Sequence, residues 1–366
     1  MSLYLYQAKE WPNFKWNNDI LIQPLVKVRS KQSLLKGYME ALGFSQRNET
    51  TLETLTLDVL KSSEIEGEIL NVDEVRSSIA RHLGMDIAGL VPSDRNVDGV
   101  VEMMLDATQN YNAPLTKERL FNWHSALFPT GKSGAYTIVT GDWRNDSTGP
   151  MQVVSGAIGK ERVHYQAPDA AVLEKEMEQF LEWFNSEQNL DPVIKASIAH
   201  LWFVTIHPFD DGNGRIARAI ADMQLTRADA DKRRFYSMSA QIRLERKGYY
   251  DILEETQKAN LDITAWLNWF LNCLYGALEH TEDIATRIVK KTEFWSHYNT
   301  IEINERQRLL INKLFDGFYG KLHTSKWAKI AKCSHDTALR DIQDLIDKGI
   351  FEKEVAGGRS TSYKLK

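Results

Sequence analysis

The chain has 366 residues, 43% of them hydrophobic and 26% charged, with a formal net charge of −5. That is long enough for two or three domains, and the acidic balance excludes a protein that coats nucleic acid or anionic membrane over its whole surface. Cys273 and Cys333 are the only cysteines, too few and too far apart for a disulfide framework or a thiolate metal cluster.

The start "MSLYLYQAKEWPNFKWNND" has no basic stretch followed by an apolar core, so no signal peptide is expected. No apolar run approaches a membrane span, and a cytoplasmic, reduced protein is expected. The segment 18–44 carries apolar residues at helical spacing, interrupted at Pro24. The segment 50–70 repeats Leu52, Leu55, Val59 and Leu60 on one helix face and reaches "SSEIEG". Ser62 and Glu66 lie four apart, so both project from one side of that helix.

Two helix signals, "GVVEMMLDATQNY" and "TKERLFNWHSALF", flank the turn "NAPL". Gly131-Lys132-Ser133 looks like the tail of a phosphate-binding loop, but that motif needs a glycine where Ala126 stands; a surface loop is expected instead. The stretch 131–168, rich in Gly, Val and Thr, reads as extended. Helical pattern resumes at "AAVLEKEMEQFLEWFNSEQN" and runs to about Tyr298. Within it, "DPVIKASIAHLWFVTIH" is apolar nearly all round, which marks a central buried helix.

That helix runs into "HPFDDGNGRIARAI". Pro208 stops it after His207, "DDGNG" is turn chemistry, and Ile216, Ala217, Ile220 and Met223 open a new helix. Free N–H groups and the positive dipole end at such a start favour phosphate. Gly212 and Gly214 let backbone approach a ligand, while Arg215 and Arg218 can grip phosphate oxygens from one face. A carboxylate beside them would hold Mg²⁺ bridging those phosphates, and His207 stands at the edge as a general base.

"HPFDDGNGRIAR" resembles the signature of the Fic (filamentation induced by cAMP) family, His-x-Phe-x-(Asp/Glu)-Gly-Asn-Gly-Arg-x-x-Arg, at every fixed position. The resemblance implies transfer of AMP from ATP to a Tyr, Thr or Ser hydroxyl of a target protein or of the chain itself. It makes His207 the base, Asp211 the Mg²⁺ ligand, and Gly212, Asn213, Gly214, Arg215 and Arg218, with Ile216 and Ala217 between them, the phosphate cradle. Asp210 falls at a variable position.

"KERVHYQAP" is similar to the family's β-hairpin flap, lined by Val163, His164 and Tyr165. "RKGYYDILEETQ" resembles the segment that closes over the nucleotide, with Tyr249, Tyr250 and Gln257. "SSEIEG" is similar to the family's inhibitory motif, (Ser/Thr)-x-x-x-Glu-(Gly/Asn), formed here by Ser62, Glu66 and Gly67. The resemblance implies that Glu66 reaches Arg218, with Ser62 hydrogen-bonding nearby, and turns ATP away from its reactive pose.

The implied fold is mainly α: an N-terminal helical domain (1–90), a Fic-type helical core with a short β-hairpin flap (91–298), and a C-terminal winged helix-turn-helix (299–366). The last reads as helix, turn, helix and two strands joined by "AGGRST", with Ser334 capping the second helix. From Ile301 to Lys366, 13 Lys and Arg face 9 Asp and Glu, a net +4 against −9 for the remainder. That balance allows DNA contact, but Asp336, Asp341, Asp344 and Asp347 on the second helix would repel phosphate, so protein docking is favoured. A homodimer is implied by the family. The competing expectations are a nucleotide-sensing DNA-binding regulator and an enzyme that removes AMP or transfers another phosphate-containing group.

Overall fold

The computed structural model describes residues 4–87, 89–147, 149–156, 160–187, 189–315, 318, 320–354 and 361–366. The described residues are mainly helical, as expected. They divide into two compact units, Met1–Glu282 and Asp283–Lys366.

In the first unit, α1 (Asn18–Ala41) and α2 (Phe44–Ile65) lead into α3 (Val72–His82), α4 (Arg95–Gln109) and α5 (Lys117–Leu127). The expected break at Pro24 does not occur; α1 runs through it. Pro24 stands only seven residues into the helix, so the ring removes one early backbone bond and spares the long remainder. Two short hairpins follow, β1 (Lys132–Ser133) with β2 (Tyr136–Thr137) and β3 (Gln152–Ser155) with β4 (Arg162–Gln166), both antiparallel. Then come α6 (Leu173–Asn185), α7 (Pro192–Ile206), α8 (Asn213–Asp229), α9 (Met238–Leu244), α10 (Arg246–Gln257) and α11 (Thr264–His297), whose residues from Asp283 onward belong to the second unit.

The core is built on α7 and α8, the most extensively packed pair. Asp191 caps α7 by accepting from Val193 N, Pro192 takes the first helical position, and every residue from Val193 to Ile206 is buried. Each large apolar side chain so buried contributes roughly 1.5–3 kcal/mol. A helix buried on all sides fixes its own C-terminus firmly, and that terminus is His207. Around this pair, α4 packs on α5 and α8, while α2 packs on α9 and α3.

The second unit follows α11 with α12 (Glu305–Phe315), α13 (Thr324–Ile330), α14 (His335–Asp347) and an antiparallel pair, β5 (Phe351–Lys353) and β6 (Tyr363–Leu365). Leu310, Trp327, Ile342, Leu345 and Phe351 form its own core. Ser334 caps α14 by accepting from Thr337 N at 3.2 Å. Most of the expected "AGGRST" connection lies outside the described residues. One of the four carboxylates expected to face outward from α14, Asp341, turns inward. Asp341 is 5% exposed and takes two bonds from Arg306, and Asp344 accepts from Gln307 and Lys348. The Asp341 charge is paired inside the unit, while the Asp344 side chain stays 45% exposed.

Candidate active site

α7 ends because His207 adopts the left-handed conformation, φ 53° and ψ 58°, which costs a non-glycine residue on the order of 1–3 kcal/mol. Buried Arg144 holds it there. Its Nε donates to the His207 carbonyl at 2.8 Å and its backbone N to the Pro208 carbonyl at 2.9 Å. Phe209 then plunges into the core, stacked on the His124 ring at 4.2 Å. Asn213 closes the loop: Oδ1 accepts from Phe209 N at 3.0 Å and Nδ2 donates to Phe209 O at 2.7 Å. Asn213 is thus a loop clamp whose side chain is occupied by backbone.

α8 starts at Asn213, and its first helical bond runs from Ile216 N to Gly212 O. The N–H groups of Asn213, Gly214 and Arg215 precede that bond and have no partner within the helix. A Cβ on Gly214 would stand 2.2 Å from Glu66 Oε1 and 3.3 Å from Arg218 Nη1. Glycine at 214 therefore keeps space open over the helix start, and the Glu66 carboxylate lies in it.

Both motif arginines are nearly solvent-free, Arg215 at 2% and Arg218 at 1% exposed. Arg218 donates from Nε to Ser62 Oγ at 2.9 Å, and from Nη2 to Ser62 O at 2.9 Å and Glu66 Oε1 at 2.8 Å. Burial alone would push its pKa down, but Glu66 beside it raises it. Arg215 donates from Nη1 to Glu68 Oε2 at 2.6 Å and lies over the Phe128 ring. Arg218 Nη1 and Arg215 Nε are buried without a hydrogen-bond partner among the described residues. Unfilled N–H groups on two desolvated cations beside a helix start fit an anion with several oxygens.

His207 Nδ1 lies 3.2 Å from the Val204 carbonyl, which can only accept, so Nδ1 carries the proton and Nε2 keeps its lone pair. Burial lowers the His207 pKa to about 4, against the pull of the Val204 hydrogen bond and with a smaller push from Arg144. The imidazole is neutral and basic at Nε2 at pH 7.

Asp211 is 43% exposed in its side chain. Its Oδ1 accepts from Gly212 N at 2.6 Å and its Oδ2 is bonded by the Ser133 hydroxyl. The Gly131-Lys132-Ser133 stretch is therefore not the plain surface loop expected from sequence; its hairpin reaches into the site. No group of three metal-ligating side chains occurs among the described residues, so a divalent ion would take one carboxylate, Asp211, and complete its shell with ligand oxygens, which suits Mg²⁺. Asp210 accepts from Val139 N at 2.8 Å.

His207, Asp211 and Gly214 open on a cavity of about 560 Å³, also lined by Glu66, Met151–Ser155, His164, Tyr165, Val204, Tyr250 and Gln257 among others; Arg215 and Arg218 do not line it. Of the expected flap residues, Val163 is exposed and His164 bonds Glu254 Oε2 at 2.6 Å. Tyr165 is nearly buried yet lines the cavity wall: its hydroxyl donates to Thr205 O, and its ring packs edge-on to Tyr4 and Tyr6. Burial would raise the Glu254 pKa, but bonds from Lys258, His164 and Arg162 hold it at about 2. Glu254 thereby ties the flap to α10.

Of the paired tyrosines, Tyr249 is buried with its hydroxyl 2.9 Å from His200 Nε2. Tyr250 is 37% exposed, reaches Glu66 Oε2 at 3.4 Å, and is pushed up to about 12 mainly by burial. Gln257 donates to Val204 O at 3.4 Å. The side chains of Ile216 and Ala217 are fully buried, away from the cavity. Residues the motif reading missed are His124, Ser133, Arg144, Glu68 and Glu254. The Gly-Lys-Ser tripeptide was the one local signal, and it suggested a different motif.

Residues 114–225 match the Fic/DOC family, and residues 4–85 match a domain of unknown function, DUF4172. The chain carries a Fic-family domain. The protein adenylyltransferase Fic of Drosophila mojavensis is 34% identical over 113 residues, 30% of this chain and 20% of that protein; the match thus spans about a fifth of that relative. A Fic family protein from Desulfovibrio desulfuricans shares the fold with TM-score 0.51 at 19% identity, covering 94% of this chain and 96% of its own. A Fic domain containing signaling protein from Bacteroides thetaiotaomicron gives TM-score 0.53 at 20% identity, covering 72% and 97%.

Proposed function

We propose that the chain transfers AMP from ATP to a hydroxyl side chain of a protein target or of itself, releasing pyrophosphate. One observation carries the reading: two buried arginines with unfilled N–H groups stand on a helix whose first turn, at Asn213 and Gly214, lines the same cavity as a neutral histidine whose Nε2 is free. The name of the Drosophila relative supports the same activity.

In this reading the helix start, Arg215 and Arg218 hold the phosphates, with Gly212 and Gly214 giving backbone access. Tyr250 and Gln257 border the nucleoside, with Tyr249 packed behind Tyr250 as support. The flap, β3 and β4, offers backbone to an extended target segment. His207 Nε2 takes the proton of the target hydroxyl as its oxygen bonds the α-phosphorus and the bond to pyrophosphate breaks. Asp211 would hold Mg²⁺ together with the nucleotide, and the ion would supply neutralisation of the phosphate charge. Arg144 and His124 keep the histidine and the carboxylate in place. Glu66, seated over Gly214 and paired with Arg218, acts as a brake that excludes the reactive pose. The second unit is read as a winged helix used for docking, and the working form as a homodimer.

Incubation with α-labelled ATP and Mg²⁺, alone and with cell lysate, tests the activity. Labelled protein bands that vanish with His207→Ala support it. Labelling that survives His207→Ala overturns the assigned chemistry.

A further inference from the structure

α2 ends in a reversal that places two carboxylates, not one, at the arginines. Gly67 has φ +89°, a conformation that suits glycine. Gly67 N donates to Glu64 O at 3.1 Å and Glu68 N to Ser63 O at 3.0 Å, the paired bonds of a Schellman helix end. Glu66 and Glu68 therefore flank one tight turn. Their partners stand three apart on α8: Glu66 Oε1 meets Arg218 Nη2 at 2.8 Å, and Glu68 Oε2 meets Arg215 Nη1 at 2.6 Å.

The two pairs differ in how they can be released. Glu66 is the last residue of the helix end, and its partner Arg218 is also held by Ser62 inside α2. Glu68 lies beyond the turn, in a stretch without secondary structure, with its side chain 46% exposed. It can leave Arg215 without unwinding α2. Arg215 gains little help elsewhere: the Asp211 carboxylate is 4.0 Å away and its Nε is unpartnered among the described residues. A phosphate chain approaching Arg215 meets a guanidinium already charge-paired, and a negative charge beside it.

We propose that Glu68 is a second brake, released independently of Glu66, that sets affinity for the phosphate chain of a nucleoside triphosphate through Arg215. This rests on reading the cavity as a nucleotide site. Glu66 governs whether the bound nucleotide is in its reactive pose; Glu68 governs how tightly it is held. The spacing Glu-Gly-Glu against Arg-x-x-Arg is what allows one segment to serve both arginines.

The test is calorimetric titration of ATP with Mg²⁺ into the full chain carrying His207→Ala, which removes turnover, with and without Glu68→Gln. Glutamine keeps the side-chain length and can still accept from Arg215, so it removes the charge alone. The expected result is at least about threefold tighter ATP binding, in line with loss of a partly screened charge–charge contact, with adenosine affinity unchanged because it carries no phosphate. Glu68→Asp keeps the charge one methylene further back and should tighten binding to an intermediate degree. Unchanged or weaker ATP binding in both variants, while Glu66→Gly on the same background still binds ATP, overturns the role of Glu68 and leaves the nucleotide site standing. If none of the chains binds ATP, the nucleotide reading falls and this proposal with it.

Discussion

Glu66 Oε1 lies 2.8 Å from Arg218 Nη2, and the same guanidinium donates to the hydroxyl and the carbonyl of Ser62. One arginine of α8 is thus bound three times by the last turn of α2. A hydrogen bond between charged groups contributes roughly 1.5–3 kcal/mol net, a factor of roughly ten to a hundred and fifty in a two-state population. That range is large enough for a switch and small enough to be released.

Transfer should persist well into acid. His207 must be neutral to accept a proton, and burial lowers its pKa to about 4 from 6.5. The acid limb of the kcat/KM profile should therefore fall near pH 4 to 5, and activity should be retained at pH 6. A limb centred at the ordinary imidazole value would contradict the tautomer and burial assigned here. His207→Ala should cost about 10²–10⁴ in rate while leaving ATP binding nearly intact.

Arg215→Lys should be a poor substitute. A guanidinium can offer two parallel bonds to phosphate, and an ammonium on a flexible stem cannot. Nucleotide titration should show affinity falling about tenfold or more, the size of one charge-assisted contact. Asp211→Ala should abolish the response of the rate to Mg²⁺, and full activity in EDTA would remove the metal from the mechanism.

Stability should decline in acid through three buried imidazoles. Burial lowers His124 and His207 to about 4 and His200 to about 3, each from 6.5. The unfolded chain takes up these protons first. The contribution of the neutral rings is therefore complete above pH 6.5 and is lost as pH falls toward 4 and then 3. Denaturant unfolding at pH 7.5 and pH 5 should show a loss on the order of several kcal/mol, and His124→Gln should make the decline shallower.

The second unit should be tested against duplex DNA at low salt. With Asp341 turned inward, α14 presents His335, Leu339, Arg340 and Gln343 as well as Asp336, Asp347 and the half-exposed Asp344 to solvent. If protein docking is its role, no salt-sensitive mobility shift should occur. A shift that weakens steeply as salt rises would make it a DNA-binding module.

Sequence made the site legible where its chemistry is local. His207 to Arg218 span a helix end, a turn and a helix start, and each residue's task follows from its place in that short path. Ser62 and Glu66 share one helix face by their spacing, but only the resemblance of "SSEIEG" to the family's inhibitory motif marked them out. The supports were not legible. His124 reaches the Asp211 carbonyl, Arg144 the His207 carbonyl and Glu68 the Arg215 guanidinium, and each contact joins segments far apart in the chain, so no spacing rule marks it. Val163, His164 and Tyr165 were read together as lining the flap, but His164 and Tyr165 line the cavity and Val163 does not. Asp341 looked like surface charge on a helix; its partner Arg306 comes from another helix.

The central claim is an AMP transfer driven by His207 and restrained by Glu66, and one measurement tests it most directly. The initial rate of label transfer from α-labelled ATP is compared among the unaltered chain, Glu66→Gly, and Glu66→Gly with His207→Ala. Releasing the Arg218 contact should raise the rate at least about tenfold, in line with the coupling of one charged hydrogen bond, and the double variant should be inactive. Equal rates for the unaltered chain and a folded Glu66→Gly, or transfer by the double variant, would contradict it.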